Sequence, residues 1–124
     1  MPNFLFLGAF NLMLVVILGA FGAHALKARV TAEQLAWWHT GVQYHAWHAL
    51  GLLAIGLLLQ AQPALAQART AGWLLQAGIV IFAGTLYAMT LGGPRWLGAI
   101  TPIGGTLMII GWAVLAWATR KLGQ

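Results

Sequence analysis

One stretch decides the fold of this chain, TGVQYHAWHALGLLAIGLLL at residues 40–59. Its polar start, which contains Tyr44, His45 and His48, continues without a break into a long apolar run. An α-helix rises about 1.5 Å per residue, so a helix over residues 42–59 nearly spans a hydrocarbon core of about 30 Å. The pattern therefore predicts a membrane helix whose polar side chains gather at one end.

The spacing of these polar residues places them on neighbouring faces of the helix. At about 100° per residue, Tyr44 and His48 are about 40° apart, and His45 and His48 are about 60° apart. An imidazole at membrane depth needs a hydrogen-bond partner, and a neutral ring is expected where no carboxylate is near. We predict that His48 bonds to another helix, with Tyr87 or the end of the first helix near His24 as its partner.

The composition of the chain places it in a membrane. Hydrophobic residues make up 61% of its 124 residues, charged residues only 6%, and the mean hydropathy is +0.85. A water-soluble domain of this composition would lack the polar side chains to cover its surface. The net charge of +5 comes from six basic residues and a single acid, Glu33. Such charges are typical of the loops that connect membrane helices, and they do not indicate a protein that binds nucleic acid.

The same inventory predicts neither an enzyme nor a metal centre. The chain contains no serine and no cysteine, and no acid lies within a predicted membrane helix, which excludes serine-hydrolase, thiol and paired-carboxylate chemistry. The sharpest metal hypothesis pairs His45 with His48, at i and i+3, and adds His24 as a third ligand. Because the only acid is Glu33 in a loop, we expect no catalytic residues, no bound metal and no haem or other cofactor.

The chain predicts an all-α, integral membrane four-helix bundle that forms a single domain. Its helices are expected over residues 4–26, 42–59, 71–91 and 102–119. Thr31 followed by Gln34 has the spacing of a capping box, which predicts a short interfacial helix over residues 32–39 between the first two membrane helices. Pro94, after two glycines, ends the third helix, and Pro102 suits the first turn of the fourth.

Four crossings place both termini on one side of the membrane and bring polar residues together in the opposite leaflet. Asn11 and Gln76 are expected in the leaflet nearer the termini. Each side carries three basic residues, so the positive-inside rule does not orient the chain. The candidate polar cluster, and candidate binding site, consists of His24, Tyr44, His48, Tyr87 and Thr101.

A strip of small residues near the end of the first helix predicts a close contact between helices. Gly19 and Ala23 are four positions apart, and Gly22 lies beside them. Small side chains allow the backbones of membrane helices to approach one another closely. We therefore expect all three residues to face a neighbouring helix.

Four motifs in the predicted helices resemble those of a known family. They are GAFGAH at residues 19–24, TGVQYHAWH at 40–48, AGTLY at 83–87 and TPIGG at 101–105. Their order across four membrane helices is similar to that of the YgdD/YwdK-type small bacterial membrane proteins, a domain of unknown function. The resemblance covers nearly the whole chain and implies a four-helix protein of the bacterial inner membrane with no established activity.

The resemblance also implies which residues carry the polar signature of the family. The family usually has a serine where Ala83 stands and a residue such as glutamine in place of His45, so it implies no shared role for the His45 imidazole. A basic, cytoplasmic C-terminus is implied, which would place both termini in the cytoplasm. The signature residues are His24, Tyr44, His48, Tyr87, Thr101 and Pro102.

Two functions follow from these observations as alternatives. The first is a non-enzymatic accessory or membrane-stabilising component, whose polar cluster holds the bundle together through interhelical hydrogen bonds. The second is a binding or transport protein that uses the cluster for a small ligand, a lipid headgroup or a metal.

The lipid bilayer is the first partner that the sequence predicts. An acidic phospholipid headgroup is a further candidate near Lys27, Arg29 and Arg95, because two predicted helix N-termini point free N–H groups at the same leaflet. We expect no nucleic-acid partner. The sequence leaves the oligomeric state open, with a homo-oligomer as one alternative.

Overall fold

Four long helices make up the described part of the protein, residues 3–123 of the computed structural model. Each of them, α1 together with its π-helical turn, is long and apolar enough to cross a membrane, and no strand occurs within the described residues. The predicted all-α, four-helix membrane bundle is confirmed. The bounds are α1 Phe4–Phe21 with a wider π-helical turn over Gly22–Leu26, α2 Ala32–Ala61, α3 Ala66–Thr90 and α4 Leu97–Thr119.

The centre of the bundle is formed by α2 and α3, which α1 and α4 flank. α1 packs along α2, and α4 packs along α3. Within the most apolar stretch of each helix, 39% of the residues are buried in α2 and in α3, compared with 17% in α1 and 22% in α4. α1 and α4 therefore present most of their surface to lipid.

The apolar core lies between α2 and α3, towards the end of the bundle that carries both chain termini. Phe4 from α1 and Met108 from α4 complete it. This core fixes the two central helices against each other and leaves the polar side chains of α2 nearer the middle of the bundle. Its buried residues are Phe4, Leu52, Ile55, Ala68, Ala71, Leu75, Ile79 and Met108.

Glycines set the spacing between neighbouring helices. A Cβ added to Gly56 of α2 would lie 2.7 Å from the backbone nitrogen of Leu5 in α1. A Cβ added to Gly104 of α4 would overlap the backbone of Phe82 in α3. Because lipid gives helices little hydrophobic reason to associate, such backbone-to-backbone packing supplies much of the attraction between them.

The helix α2 is continuous, and the separate interfacial helix predicted over residues 32–39 forms its first two turns. The predicted capping box is present: Thr31 Oγ1 accepts a hydrogen bond from the Gln34 N–H at 3.1 Å, and Gln34 Oε1 accepts one from the Thr31 N–H at 2.9 Å. Gly41 does not break the helix, because it packs against Tyr87, where an added Cβ would lie 2.9 Å from a ring carbon.

This continuity moves the polar residues of α2 away from a helix start. Tyr44 is the thirteenth and His48 the seventeenth of its 30 residues, so both lie about 18 to 24 Å along the helix. The sequence placed them near the mouth of a helix that began at residue 42. They lie instead in the middle third of a continuous helix.

The helices α3 and α4 each begin five residues earlier than predicted, at Ala66 and Leu97. Thr101, which directly precedes the predicted start of the fourth helix, is therefore inside α4. Its hydroxyl lies 3.1 Å from the carbonyl oxygen of Leu97, one turn back in the same helix. Pro102 lies within the second turn of α4, where its ring removes one backbone hydrogen bond.

The predicted close contact of α1 is centred on Gly22 and Trp38. Trp38 is 1% exposed, and its indole N–H donates to the carbonyl of Leu18 at 2.8 Å. A Cβ added to Gly22 would lie 2.6 Å from the Trp38 ring, and one added to Gly19 would lie 3.7 Å from Val42. The prediction is confirmed for these two glycines.

Ala23 was wrongly predicted to share this contact, because it is exposed. The cause is the π-helical turn over Gly22–Leu26. A π-helical turn holds more residues than an α-helical one, so it rotates the positions that follow out of the α-helical register. Ala23 is thereby turned away from α2.

Replacing Gly22 with leucine is expected to destabilise the protein by about 1 to 3 kcal/mol, the usual cost of overpacking. The leucine would displace the Trp38 indole and break its bond to the Leu18 carbonyl. Thermal unfolding in mild detergent measures the effect. Gly84→Ala is the control, because an added Cβ there meets no atom within 4 Å. Equal melting temperatures for Gly22→Leu and the unchanged protein would show that this contact does not stabilise the fold.

Candidate functional site

A chain of hydrogen bonds joins three helices in the interior of the bundle, and His45 is at its centre. His45 Nδ1 lies 3.0 Å from the Tyr87 hydroxyl of α3, and Nε2 lies 2.9 Å from Asn11 Oδ1 of α1. Asn11 Nδ2 donates in turn to Gln76 Oε1 of α3 at 2.9 Å. His45 and Asn11 are each 4% exposed. We call Tyr87, His45, Asn11 and Gln76 the polar chain.

The direction of every bond in the polar chain follows from one backbone carbonyl. Asn11 Nδ2 also lies 2.8 Å from the carbonyl oxygen of Leu7, which can only accept. The amide nitrogen of Asn11 therefore faces Leu7, and its oxygen faces His45 Nε2. That ring nitrogen must carry a hydrogen, which leaves Nδ1 of a neutral imidazole to accept from the Tyr87 hydroxyl.

The imidazole of His45 is neutral in this arrangement. Both ring nitrogens are satisfied without a second proton. The single acid of the chain, Glu33, lies in the exposed first turn of α2, too far along the helix to serve as a counter-ion. A charged ring at this depth would cost several kcal/mol.

An open groove lies beside the polar chain, between α1 and α3. It has a volume of about 370 Å³, and α2 contributes only His45 to its lining. All four residues of the polar chain line it, so polar atoms are available at the base of otherwise apolar walls. The walls are Leu7, Phe10, Leu14 and Leu18 of α1, and Ile79, Val80, Ala83 and Gly84 of α3. We call this space the α1–α3 groove.

Gln76 keeps a free hydrogen-bond donor at this groove. Its Oε1 accepts from Asn11, and the opposite amide orientation would bring two donors face to face. Its Nε2 has no hydrogen-bond partner among the described residues. No buried polar side-chain atom of the described residues lacks a partner, so this NH₂ group reaches accessible space, which is the groove.

The sequence of the chain matches a family across most of its length. Residues 18–105 match the family described as a protein of unknown function, DUF423. This chain belongs to the DUF423 family. The match includes His45, Gln76 and Tyr87, and Asn11 lies before it.

Relatives of this DUF423 protein align with it end to end. It is 47% identical over 121 residues to the UPF0382 membrane protein YwdK of Bacillus subtilis, and 48% identical over 121 residues to a UPF0382 membrane protein of Staphylococcus epidermidis. Each alignment covers 98% of both chains. A UPF0382 membrane protein of Staphylococcus saprophyticus is 45% identical over 122 residues, which are 98% of this chain and 100% of the relative. No solved structure matches the chain.

The structure separates the five residues predicted to form one polar cluster in this DUF423 protein. Tyr87 belongs to the polar chain. His24 is exposed in the π-helical turn and forms no hydrogen bond or ring contact with the other four. Tyr44 lies on another face of α2, where its ring centroid is 4.6 Å from that of Phe82 and 6.1 Å from that of His48.

The prediction that His48 bonds to another helix is wrong. His48 Nδ1 lies 2.7 Å from the Tyr44 carbonyl of its own helix, so this nitrogen carries the hydrogen and donates. The ring otherwise packs beside Trp112 of α4, with centroids 5.8 Å apart. The backbone carbonyl one turn back is the nearest acceptor, and the position 60° round the helix, His45, faces α1 instead.

Thr101 forms a second interhelical contact, separate from the polar chain. Its hydroxyl lies 2.6 Å from the Thr85 hydroxyl, and both side chains are buried between α3 and α4. Each hydroxyl also lies within hydrogen-bond distance of a carbonyl oxygen of its own helix, Thr85 at 2.7 Å from Ile81 and Thr101 at 3.1 Å from Leu97. Since a hydroxyl has a single hydrogen, one of the two donates across the pair and the other donates to its own helix. The pair ties α4 to α3 without reaching the α1–α3 groove.

Sequence reasoning missed three members of the polar chain. The sequence predicts Asn11 and Gln76 in the opposite leaflet from the histidines, and it favours His48 over His45 as the residue that bonds another helix. The error followed from starting the second helix at residue 42, which raised His45 towards the membrane surface. A signal was present: Asn11 and Gln76 are isolated amides in apolar runs, and each needs a partner at a similar depth.

The loop cations are arranged differently from the predicted headgroup site. Arg95 lies 4.0 Å from Glu33 and stacks 5.6 Å above the ring of Trp37. The capping box occupies N–H groups at the start of α2. Lys27 and Arg29 are exposed, and an acidic headgroup beside them stays a prediction. Within the described residues, no group of three or more His, Asp or Glu side chains could hold a metal ion.

Replacing His45 with leucine is expected to cost more stability than replacing His48 with leucine, by about 1 to 3 kcal/mol. His45→Leu leaves the Tyr87 hydroxyl and Asn11 Oδ1 unpaired in the interior, whereas His48→Leu frees only a carbonyl that already serves its own helix. Denaturation in mixed detergent micelles compares the two variants directly. A larger loss for His48→Leu would contradict the assignment of His45 as the centre of the polar chain.

Proposed function

We propose that this DUF423 protein is a non-enzymatic membrane protein that binds a small amphiphilic molecule from the lipid phase in the α1–α3 groove. One observation carries the proposal: a space of about 370 Å³ with apolar walls and polar atoms at its base. Small-molecule sites in proteins have about this size and this pattern of lining. Because the groove lies between two lipid-crossing helices, its occupant would enter sideways from the bilayer.

The alternative is an accessory or membrane-stabilising component whose polar side chains only hold the bundle together. The polar chain supports this alternative in part, because it joins α1, α2 and α3. A purely structural network is normally enclosed by close-packed side chains, since voids forfeit dispersion contacts. The open groove next to the polar chain, with the free NH₂ of Gln76 in it, favours binding.

The chemistry of the groove supports a binding role without catalysis. The only titratable side chains that line it are His45 and Tyr87. They are hydrogen-bonded to each other, and the second ring nitrogen of His45 bonds Asn11. A general base would need a lone pair directed at its substrate, whereas the one lone pair of the His45 ring accepts from Tyr87. The groove can therefore bind a ligand, but none of its side chains has a free lone pair that is positioned to act as a general base.

Gly84→Leu is expected to abolish binding in the α1–α3 groove, because its side chain would fill open space next to Ala83. Gly84→Ala is the matched control, since it makes the same change of backbone preference and adds only one carbon. Native mass spectrometry from gentle detergent reports bound molecules and oligomeric state together. We expect an adduct on the unchanged protein and on Gly84→Ala, and an adduct at least about tenfold weaker on Gly84→Leu.

The absence of any adduct from the unchanged protein, or equal adducts on all three proteins, would favour the accessory role. Thermal unfolding of the three proteins checks that each is folded. Gly84 is suited to this comparison because a Cβ at this position meets no atom within 4 Å.

We further propose that the protein lies in the bacterial inner membrane with both termini in the cytoplasm. The four candidate spans support termini on a shared side, and Arg120 and Lys121 follow α4 directly. Reporter fusions behind the C-terminus test the orientation: a cytoplasm-active reporter is expected to function and a periplasm-active one to be silent. The reverse result would invert the orientation and leave the bundle unchanged.

A further inference from the structure

We propose that the α1–α3 groove selects an uncharged lipid whose head group carries a carbonyl oxygen, and that this oxygen accepts a hydrogen bond from Nε2 of Gln76. This inference rests on the proposed binding function and specifies its ligand. It follows from the charges that line the groove and from the direction of the bonds in the polar chain.

The lining of the groove excludes a charged head group. No Asp, Glu, Lys or Arg is among its residues, and His45 is held neutral between Tyr87 and Asn11. An ionised group inside hydrocarbon without a counter-ion costs several kcal/mol. A phosphate or ammonium head group would therefore remain at the membrane surface, and only a neutral head group would enter.

The free polar group at Gln76 is a donor and not an acceptor. The Leu7 carbonyl fixes the amide of Asn11, and Asn11 Nδ2 then fixes the amide of Gln76 with its oxygen inward. The NH₂ group that remains requires an acceptor on the ligand. A hydroxyl oxygen would accept, but its own hydrogen would face the apolar walls unpaired, and this costs free energy. A carbonyl oxygen accepts and leaves no hydrogen over.

Tyr87, at the opposite end of the polar chain from Gln76, is a hydrogen-bond acceptor towards the groove. Tyr87 gives its hydroxyl hydrogen to His45 Nδ1, so it offers only lone pairs to the groove. Gln76 and Tyr87 are eleven residues apart on α3, which is roughly 16 Å along the helix and about 20° around it. Both face the groove, and the single free donor is at the Gln76 end.

Two sources in membranes share the chemistry that this donor recognises. Quinones with an alkyl or isoprenoid tail carry ring carbonyls, and fully esterified acylglycerols carry ester carbonyls. Both are uncharged and have no hydroxyl group in the head. The apolar walls of Leu14, Leu18 and Val80 suit the tail of either one. The shared feature is a neutral carbonyl head group on an apolar chain.

The test measures four probes by their effect on the melting temperature of the protein in detergent, which rises with ligand concentration according to affinity. Decyl-benzoquinone and trioctanoylglycerol, which has no free hydroxyl, represent the two carbonyl sources, dodecane lacks polar atoms, and dodecyl phosphate carries charge. We expect the unchanged protein to bind at least one carbonyl probe. Its affinity for dodecane and for dodecyl phosphate is expected to be lower by about two- to tenfold or more. The carbonyl probe that binds identifies the source.

Two variants test whether Gln76 causes the preference for carbonyl probes. Gln76→Met is expected to lower the affinity for the carbonyl probe by about two- to tenfold, since one neutral hydrogen bond is lost. Its affinity for dodecane should stay unchanged. Gln60→Met, at an exposed glutamine of α2, is the matched control and should bind as the unchanged protein does. The probe series on the unchanged protein tests the inference even if Gln76→Met is poorly folded.

The outcomes separate the two proposals. If Gly84→Leu binds every probe as tightly as the unchanged protein, the groove is not the binding site and the proposed function fails. If Gly84→Leu blocks binding while dodecane or dodecyl phosphate binds as tightly as the carbonyl probes, the groove binds but does not select a carbonyl. Unaltered carbonyl affinity in a folded Gln76→Met protein would likewise overturn the role of this amide.

Discussion

The structure depends on the need to satisfy polar side chains where the solvent is hydrocarbon. Asn11, His45 and Gln76 each lie within an apolar helix, and none of them could be left unpaired there without a penalty of several kcal/mol. The protein meets this need by joining them to Tyr87 in one directed chain across three helices. The register of α1 against α2 and α3 is thereby fixed, because a shift of a single residue would break two of the bonds.

Close packing and hydrogen bonding contribute differently to the helix contacts of the bundle. α3 and α4 are held by close backbone contact at Gly104 and by the buried pair of Thr85 and Thr101. α1 has fewer buried residues, and it is held at Gly22 by Trp38 and near its middle by Asn11. The α1–α3 groove lies along this less buried helix. The helix with the smallest buried share, α1, is thus the one that Asn11 ties to both α2 and α3 by hydrogen bonds.

Much of the fold could be predicted from the sequence, because long apolar runs separated by breakers leave few other structures in a membrane. The residues at which the helices begin were harder to predict from the sequence. Gly41 lies in the predicted gap between residues 39 and 42 and is in fact a packing site for Tyr87 within α2. Thr101 lies just before the predicted start of the fourth helix and is in fact an interhelical donor or acceptor inside α4. For the site, Tyr87 was predictable, but the choice between His45 and His48 was not. The two positions differ by about 60° around the helix, and only the packing of α1 decides which of them meets Asn11.

The length of α2 has a consequence for the membrane around it. Its 30 residues extend over about 45 Å, which exceeds the hydrocarbon thickness of a typical bilayer by about half. At its capped end Glu33 and Arg95 are exposed, and Trp37 lies beside Arg95. A helix of this length can slide or tilt to match bilayers of different thickness at a small cost per ångström of mismatch. The length of α2 therefore suits bilayers of different thickness, while the central hydrogen bonds keep α1, α2 and α3 in register with one another.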